Sequence, residues 1–212
     1  MLTVLVDYDS GNLHSAQKAF QRMASEIGAG DVIVSARPED VARADRIVLP
    51  GDGAFPACRA ALGARGGLFE ALSHAVIDKA RPFLGICVGM QLMASRGHEY
   101  TDTAGFGWIA GDVVKIAPLD TGLKVPHMGW NDLVIDSSHP VLAGIATGDH
   151  AYFVHSYHFQ VTLPADRLAH VDYGTDITAI IGRDNMVGTQ FHPEKSQTAG
   201  LRLIANFLAW RP

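Results

Sequence analysis

A chain of 212 residues with 48% hydrophobic and 18% charged content has enough apolar material for one sizeable core and does not have the composition of a disordered segment. Its formal net charge of −5, with no dense Lys/Arg cluster, argues against nucleic acid as a partner, and no apolar stretch approaches the roughly 20 residues of a membrane span. The two cysteines, Cys58 and Cys87, make neither a disulfide framework nor a zinc spacing, which points to a cytoplasmic, reducing compartment with no metal site and no cofactor fingerprint.

The first apolar run, residues 2–6, lacks a basic flank and stops at Asp7, so it reads as a strand rather than a signal peptide. Residues 12–20 carry Leu13, Ala16 and Phe20 at helical spacing. Strands follow over 32–34, 46–49 and 82–86, with helices over 55–62 and 67–80 between them and another helix starting at Val88. Strands alternating with helices predict βαβ units. The fold class is therefore α/β, a mainly parallel open sheet flanked by helices, with sites beyond the carboxyl ends of the strands. The second half changes character. Short runs at 112–116, 132–135, 152–154, 158–161, 168–171, 178–181 and 186–190, joined by turns at 118–122 and 137–140 among others, predict additional antiparallel strands. A last helix covers 196–210, with Ser196 as its N-cap. No repeat or linker interrupts the pattern, so residues 1–212 read as one domain.

Chemistry concentrates in three segments. At the end of the fourth strand, Gly85-Ile86-Cys87-Val88-Gly89 has the G-x-nucleophile-x-G form with cysteine as the nucleophile. Side chains two residues before and after such a turn would collide, which explains both glycines. A following helix N-terminus would favour the thiolate. Near the C-terminus, Gly188-Thr189-Gln190-Phe191-His192-Pro193-Glu194 reads as a strand ending at His192. Two residues apart in extended backbone, His192 and Glu194 point the same way, and a carboxylate there orients the imidazole. If His192 reaches Cys87, the set is a Cys-His-Glu triad. The third segment, Pro50-Gly51-Asp52-Gly53, follows a strand and lets backbone approach a ligand. The backbone N–H groups of Asp52 and Val88 are the candidate donors for a developing oxyanion.

The motifs PGDG at 50–53, GICVGMQ at 85–91 and QFHPEKS at 190–196 together resemble the class I (triad) glutamine amidotransferases, and the resemblance covers essentially the whole chain. Asp7-Tyr8-Asp9-Ser10-Gly11-Asn12-Leu13, Pro126-His127-Met128-Gly129-Trp130-Asn131, Tyr152-Phe153-Val154-His155-Ser156-Tyr157 and the His-Pro-Glu-Lys-Ser ending resemble, within that family, the glutaminase subunits of imidazole glycerol phosphate synthase, in histidine biosynthesis. The resemblance implies that Cys87 attacks the carboxamide of L-glutamine, that His192 moves the protons and that Glu194 orients it. It implies substrate contacts from Gln91, His155, Ser156 and Tyr157, and a backbone contact at Gly53. It implies a heterodimer with a (βα)8-barrel cyclase subunit, docked on Asn12, Trp130, Tyr152 and Lys195. From the residues alone, Trp130 fits an interface anchor or a packing residue equally, and Lys195 a solvated surface lysine.

Asp52 departs from the family pattern, which more often has a small apolar residue there. A standalone γ-glutamyl-type cysteine hydrolase would share the elbow and the histidine but work without a partner. A silent regulatory homologue would have no reason to keep Cys87, His192 and Glu194 together. His14, His74, His98, His139, His150, His158 and His170 sit in no motif, His127 is assigned no chemistry, and Cys58 reads as structural.

Overall fold

The structure, a computed structural model, describes residues 1–9, 13–119 and 122–212; Asn12 lies outside the described residues. The first half alternates as expected: β1 (Leu2–Val6), α1 (Leu13–Ile27), β2 (Asp31–Ser35), α2 (Pro38–Arg43), β3 (Arg46–Gly51), α3 (Phe55–Ala64), α4 (Leu68–Ser73), β4 (Phe83–Cys87) and α5 (Val88–Gln91). The second half is β-rich: β5 (Arg96–Gly97), β6 (Thr103–Ala104), β7 (Gly111–Lys115), β8 (His127–Asp132), β9 (Val134–Ile135), β10 (His150–His155), β11 (Tyr157–Val161), β12 (Arg167–Asp172), β13 (Asp176–Arg183) and β14 (Met186–Thr189), closed by α6 (Gln197–Ala209).

The main sheet has eight strands in the order β2-β1-β3-β4-β14-β13-β12-β9. Pairing is parallel from β2 through β14 and antiparallel from β14 to β9. β3 and β4 are buried along their whole length, as a central parallel strand between two helical layers must be. α1 and α6 cover one face, and Phe20 meets Phe207 edge-to-face at 6.5 Å. β8 and β10 form a two-stranded ribbon, and β11-β7-β5-β6 a second, smaller sheet. Among the described residues no helix is long and apolar enough to cross a membrane.

Register sets the site. Gly51 pairs with Cys87, and Thr189 with Ile86. The carboxyl ends of β3, β4 and β14 are therefore level, and the PGDG loop, the cysteine and the His192 segment leave the sheet at one edge. The glycines make the turn possible. A Cβ on Gly85 would lie 2.6 Å from the Gly89 carbonyl oxygen, and one on Gly89 would lie 1.8 Å from that of Leu49.

Several elements differ from expectation. The helix expected over 67–80 is α4 continued by a π turn at His74–Asp78. The helix expected from Val88 is a single turn of four residues, because Met93 and Ala94 donate three residues back and the chain turns away. The strand expected over 132–135 is broken: β8 ends at Asp132, the buried Leu133 intervenes, and β9 follows. The strand expected to reach Gln190 ends at Thr189. Ser196 occupies the N-cap of α6 without capping it; its hydroxyl donates to the His192 carbonyl at 2.7 Å and accepts from Tyr152 N–H at 3.0 Å.

His127, His155 and His158, in this β-rich half, are buried. Burial disfavours their charged forms and pushes His127 and His158 down to about 4 and His155 to about 3. Each folded value lies below the ordinary 6.5, so the stability these groups contribute is complete above about pH 6.5 and is lost as pH falls towards 4. His158→Phe is expected to flatten the fall of urea-unfolding stability between pH 6.5 and 4 by about 1.4 kcal/mol per pH unit, one proton's worth. An unchanged slope contradicts a neutral buried His158. Gly89→Ala is expected to cost about 3 kcal/mol or more in the same assay, because the opposing atom is backbone. Gly63→Ala, in α3 with its nearest Cβ neighbour 3.5 Å away at a flexible arginine tip, is expected to gain about 0.5–1 kcal/mol.

Candidate active site

Cys87 is the last residue of β4 and has φ +54° and ψ −114°, a region that residues with a side chain rarely occupy. The expected contribution of a helix dipole is small, since α5 is one turn long. Side chains act on the sulfur instead. Gln190 Nε2 donates to Sγ at 3.7 Å, and the His192 imidazole is close enough to interact electrostatically with the same sulfur.

His192 follows β14 and opens a 3-10 turn at Pro193–Lys195. The turn, not an extended strand, brings Glu194 round to His192: Nδ1 and Oε1 are 3.0 Å apart, with both side chains nearly buried. Burial pulls the imidazole towards its neutral form, but Cys87 and Glu194 outweigh it through hydrogen bonds and charge, and the pKa rises to about 10. An imidazole facing a cysteine sulfur, with its far nitrogen held by a carboxylate, is an arrangement chemically suited to nucleophilic acyl transfer. His192 is fixed from the backbone too, its N–H donating to the Tyr152 carbonyl at 3.2 Å.

Cys87 opens into a cavity of about 280 Å³, just below the roughly 300–1,000 Å³ of drug-sized sites and suited to a free amino acid. Asp52, Gly53, Val88, Gln91, His155, Ser156 and Tyr157 all line it. Asp52 and Gly53 are exposed, and the Asp52 carbonyl accepts from the Cys58 thiol at 3.5 Å. Gln91 is buried and spends both amide N–H groups, on the Tyr157 carbonyl at 2.9 Å and on Gln190 Oε1 at 3.0 Å, which leaves its own carbonyl for a ligand. His155 uses both ring nitrogens internally, on His127 at 3.1 Å and on the Tyr157 carbonyl at 2.9 Å. Its approach to a ligand is through its backbone. The cavity also holds Glu99, which accepts from Phe55 N–H at 2.8 Å.

Trp130 and Tyr152 are a cross-strand pair on the β8–β10 ribbon with ring centroids 5.8 Å apart. Trp130 is 48% exposed and Met128, two residues earlier on the same strand face, 63%. Lys195 is exposed. Among the described residues no group of three or more His, Cys, Asp or Glu could hold a metal ion.

Sequence reasoning passed over four residues that the structure brings to the site. Gln190 lies within a recognised motif, and its place two residues before His192 is the only signal it carries. Glu99 sits in no motif. His127 and Ser196 were given other readings, and each acts through hydrogen bonds that only the fold creates.

The Glutamine amidotransferase class-I family matches residues 5–210. The chain is 78% identical over 212 residues to the imidazole glycerol phosphate synthase subunit HisH of Cereibacter sphaeroides, and 68% to that of Ruegeria pomeroyi, each covering 100% of both chains. Among solved structures it is similar to a glutamine amidotransferase at TM-score 0.73 and 19% identity, covering 97% of each chain. It is also similar to the glutaminase domain of Trypanosoma brucei CTPS with bound acivicin, at TM-score 0.69 and 14% identity, covering 99% of this chain and 92% of that one. At those identities the structures speak to the fold alone. The chain belongs to the class I glutamine amidotransferase family.

Proposed function

We propose that this chain is the glutamine-hydrolysing subunit of an imidazole glycerol phosphate synthase, acting in the cytoplasm and delivering ammonia to a separate (βα)8-barrel cyclase subunit. The observation that carries the reading is the Cys87–His192–Glu194 arrangement in a cavity of amino-acid size, within a chain 78% identical end to end to a HisH subunit.

The Cys87 thiolate attacks the side-chain carbonyl carbon of glutamine. Negative charge develops on the oxygen, where the backbone N–H groups of Val88 and Asp52 are the donors. The His192 imidazolium gives its proton to the amide nitrogen, the C–N bond breaks and ammonia leaves. A glutamyl thioester remains on Cys87. Neutral His192 takes a proton from water as the oxygen adds to the thioester carbon, and collapse releases glutamate and restores the thiolate. Glu194 holds the imidazole through Nδ1 and steadies its charged form. For the α-ammonium of the substrate the cavity offers the Glu99 carboxylate and the Gln91 carbonyl.

The cyclase subunit docks on the β8–β10 ribbon through Trp130 and Tyr152, with Lys195 taking part. Docking there acts close to the chemistry, because the Tyr152 backbone accepts from His192 N–H and donates to Ser196. A site completed only by its partner avoids wasting glutamine.

The test is glutamate release from glutamine, with and without the cyclase subunit and its nucleotide ligand. Turnover is expected only with the liganded partner; equal turnover without it contradicts the synthase reading and favours a standalone hydrolase. Cys87→Ala is expected to lower glutamate release at least about a thousandfold while leaving the complex intact by gel filtration. Asp52→Val is expected to stay within about tenfold of the parent, roughly 1.4 kcal/mol, since the proposed donor is backbone. A loss of several orders of magnitude makes that carboxylate catalytic.

A further inference from the structure

The Cys87 sulfur ends a hydrogen-bond chain in which Gln190, His127 and Asn131 have no assigned work. Gln190 Nε2 donates to it at 3.7 Å, and Gln190 Oε1 accepts from Gln91 at 3.0 Å. The second Gln91 N–H goes to the Tyr157 carbonyl at 2.9 Å, which also accepts from His155 Nδ1 at 2.9 Å. A carbonyl can only accept, so His155 carries its proton on Nδ1 and accepts at Nε2. His127 Nδ1, 3.1 Å away, is then the donor, and His127 Nε2 accepts from Asn131 Nδ2 at 3.3 Å. Asn131 gives its other N–H to the Asp172 carbonyl at 3.0 Å.

Neighbouring bonds thus leave a single proton arrangement from Asn131 to the sulfur. Burial keeps both imidazoles neutral, so no added proton breaks the pattern near neutral pH. His127 is also held as a ring, stacked on Phe153 at 4.8 Å and against Tyr173 at 4.1 Å. A run of buried polar groups stabilises a core less than apolar packing would, unless each member is satisfied. This run is satisfied at each link traced, and it ends at the reacting atom.

We propose that Gln190 holds and polarises the Cys87 sulfur, and that His127 is a positioning residue acting on it through His155 and Gln91. The inference rests on Cys87 being the nucleophile. Cutting the chain at His127 loosens His155 and, through the shared Tyr157 carbonyl, the Gln91 amide that fixes Gln190. A donor lost from the sulfur leaves it less polarised and less well aimed.

The test is the rate of Cys87 alkylation by iodoacetamide in the isolated chain, read by peptide mass mapping so that Cys58 is counted separately. Gln190→Met keeps the shape and removes the donor. His127→Phe keeps the stacked ring and removes its polar atoms. His127→Asn restores a donor at the Nδ1 position. Gln190→Met is expected to slow alkylation about fivefold, the worth of one hydrogen bond, with His127→Phe slowing it in the same direction. His127→Asn is expected to recover the parent rate, and the double variant Gln190→Met/His127→Phe to be no slower than the slower single one. Parent-like alkylation in either single variant, or effects that multiply in the double, overturns the proposal. Should His127→Phe fail to fold, Asn131→Ala cuts the same chain at its solvent end, and parent-like alkylation there overturns it equally. The assay uses neither glutamine nor partner, so its failure leaves the glutaminase reading standing, and a failed glutamate assay leaves this result intact.

Discussion

Cys87 holds a backbone conformation that costs on the order of 1–3 kcal/mol and persists only where the surroundings over-determine it. The surroundings here are backbone on backbone. Gly89 passes so close to the Leu49 carbonyl, and Gly85 to Gly89, that no side chain fits at either position. β3 and β14 flank β4 in parallel and carry the strain as part of a buried sheet. The same register brings the PGDG loop and the His192 segment to the sulfur. One constraint, the close passage of α5 over the ends of β3 and β4, both lifts Cys87 and gathers the PGDG loop and the His192 segment beside it.

What acts on the sulfur after that is side-chain chemistry rather than a long helix. α5 is too short for a sizeable macrodipole, and the polarising groups are the His192 imidazolium and the Gln190 amide. Both come from the segment after β14. Tyr152 on the β8–β10 ribbon holds that segment at two points, through His192 N–H and the Ser196 hydroxyl. The exposed Trp130 and the half-buried Tyr152 are therefore a short mechanical distance from His192. A protein docked there reaches the triad through backbone hydrogen bonds, without a long path.

Much of this was legible in the sequence, for physical reasons. The alternation of Val/Ile runs with helical spacing gave the parallel half of the sheet, and the paired glycines around Cys87 marked a turn that tolerates no Cβ. Other features were hidden because they depend on contacts between distant segments. His127–Asp132 does not alternate cleanly, and it is a strand only through its pairing with β10. His192 and Glu194 were expected to meet along an extended strand, but a 3-10 turn brings them together. Ser196 has the right identity and position for a helix cap, yet its hydroxyl is taken by His192 and Tyr152. The histidine pair at 127 and 155 could not be found from spacing, because a separation of 28 positions says nothing about a cross-strand ring contact.

The most direct measurement is intact-mass analysis of the complex with its cyclase subunit, mixed with glutamine and quenched in acid within one turnover. The account predicts one glutamyl group added to this chain, mapped to the peptide carrying Cys87 and missing in Cys87→Ser. Glutamate formed with no covalent adduct, or an adduct on Cys58, would contradict a thioester mechanism at the elbow.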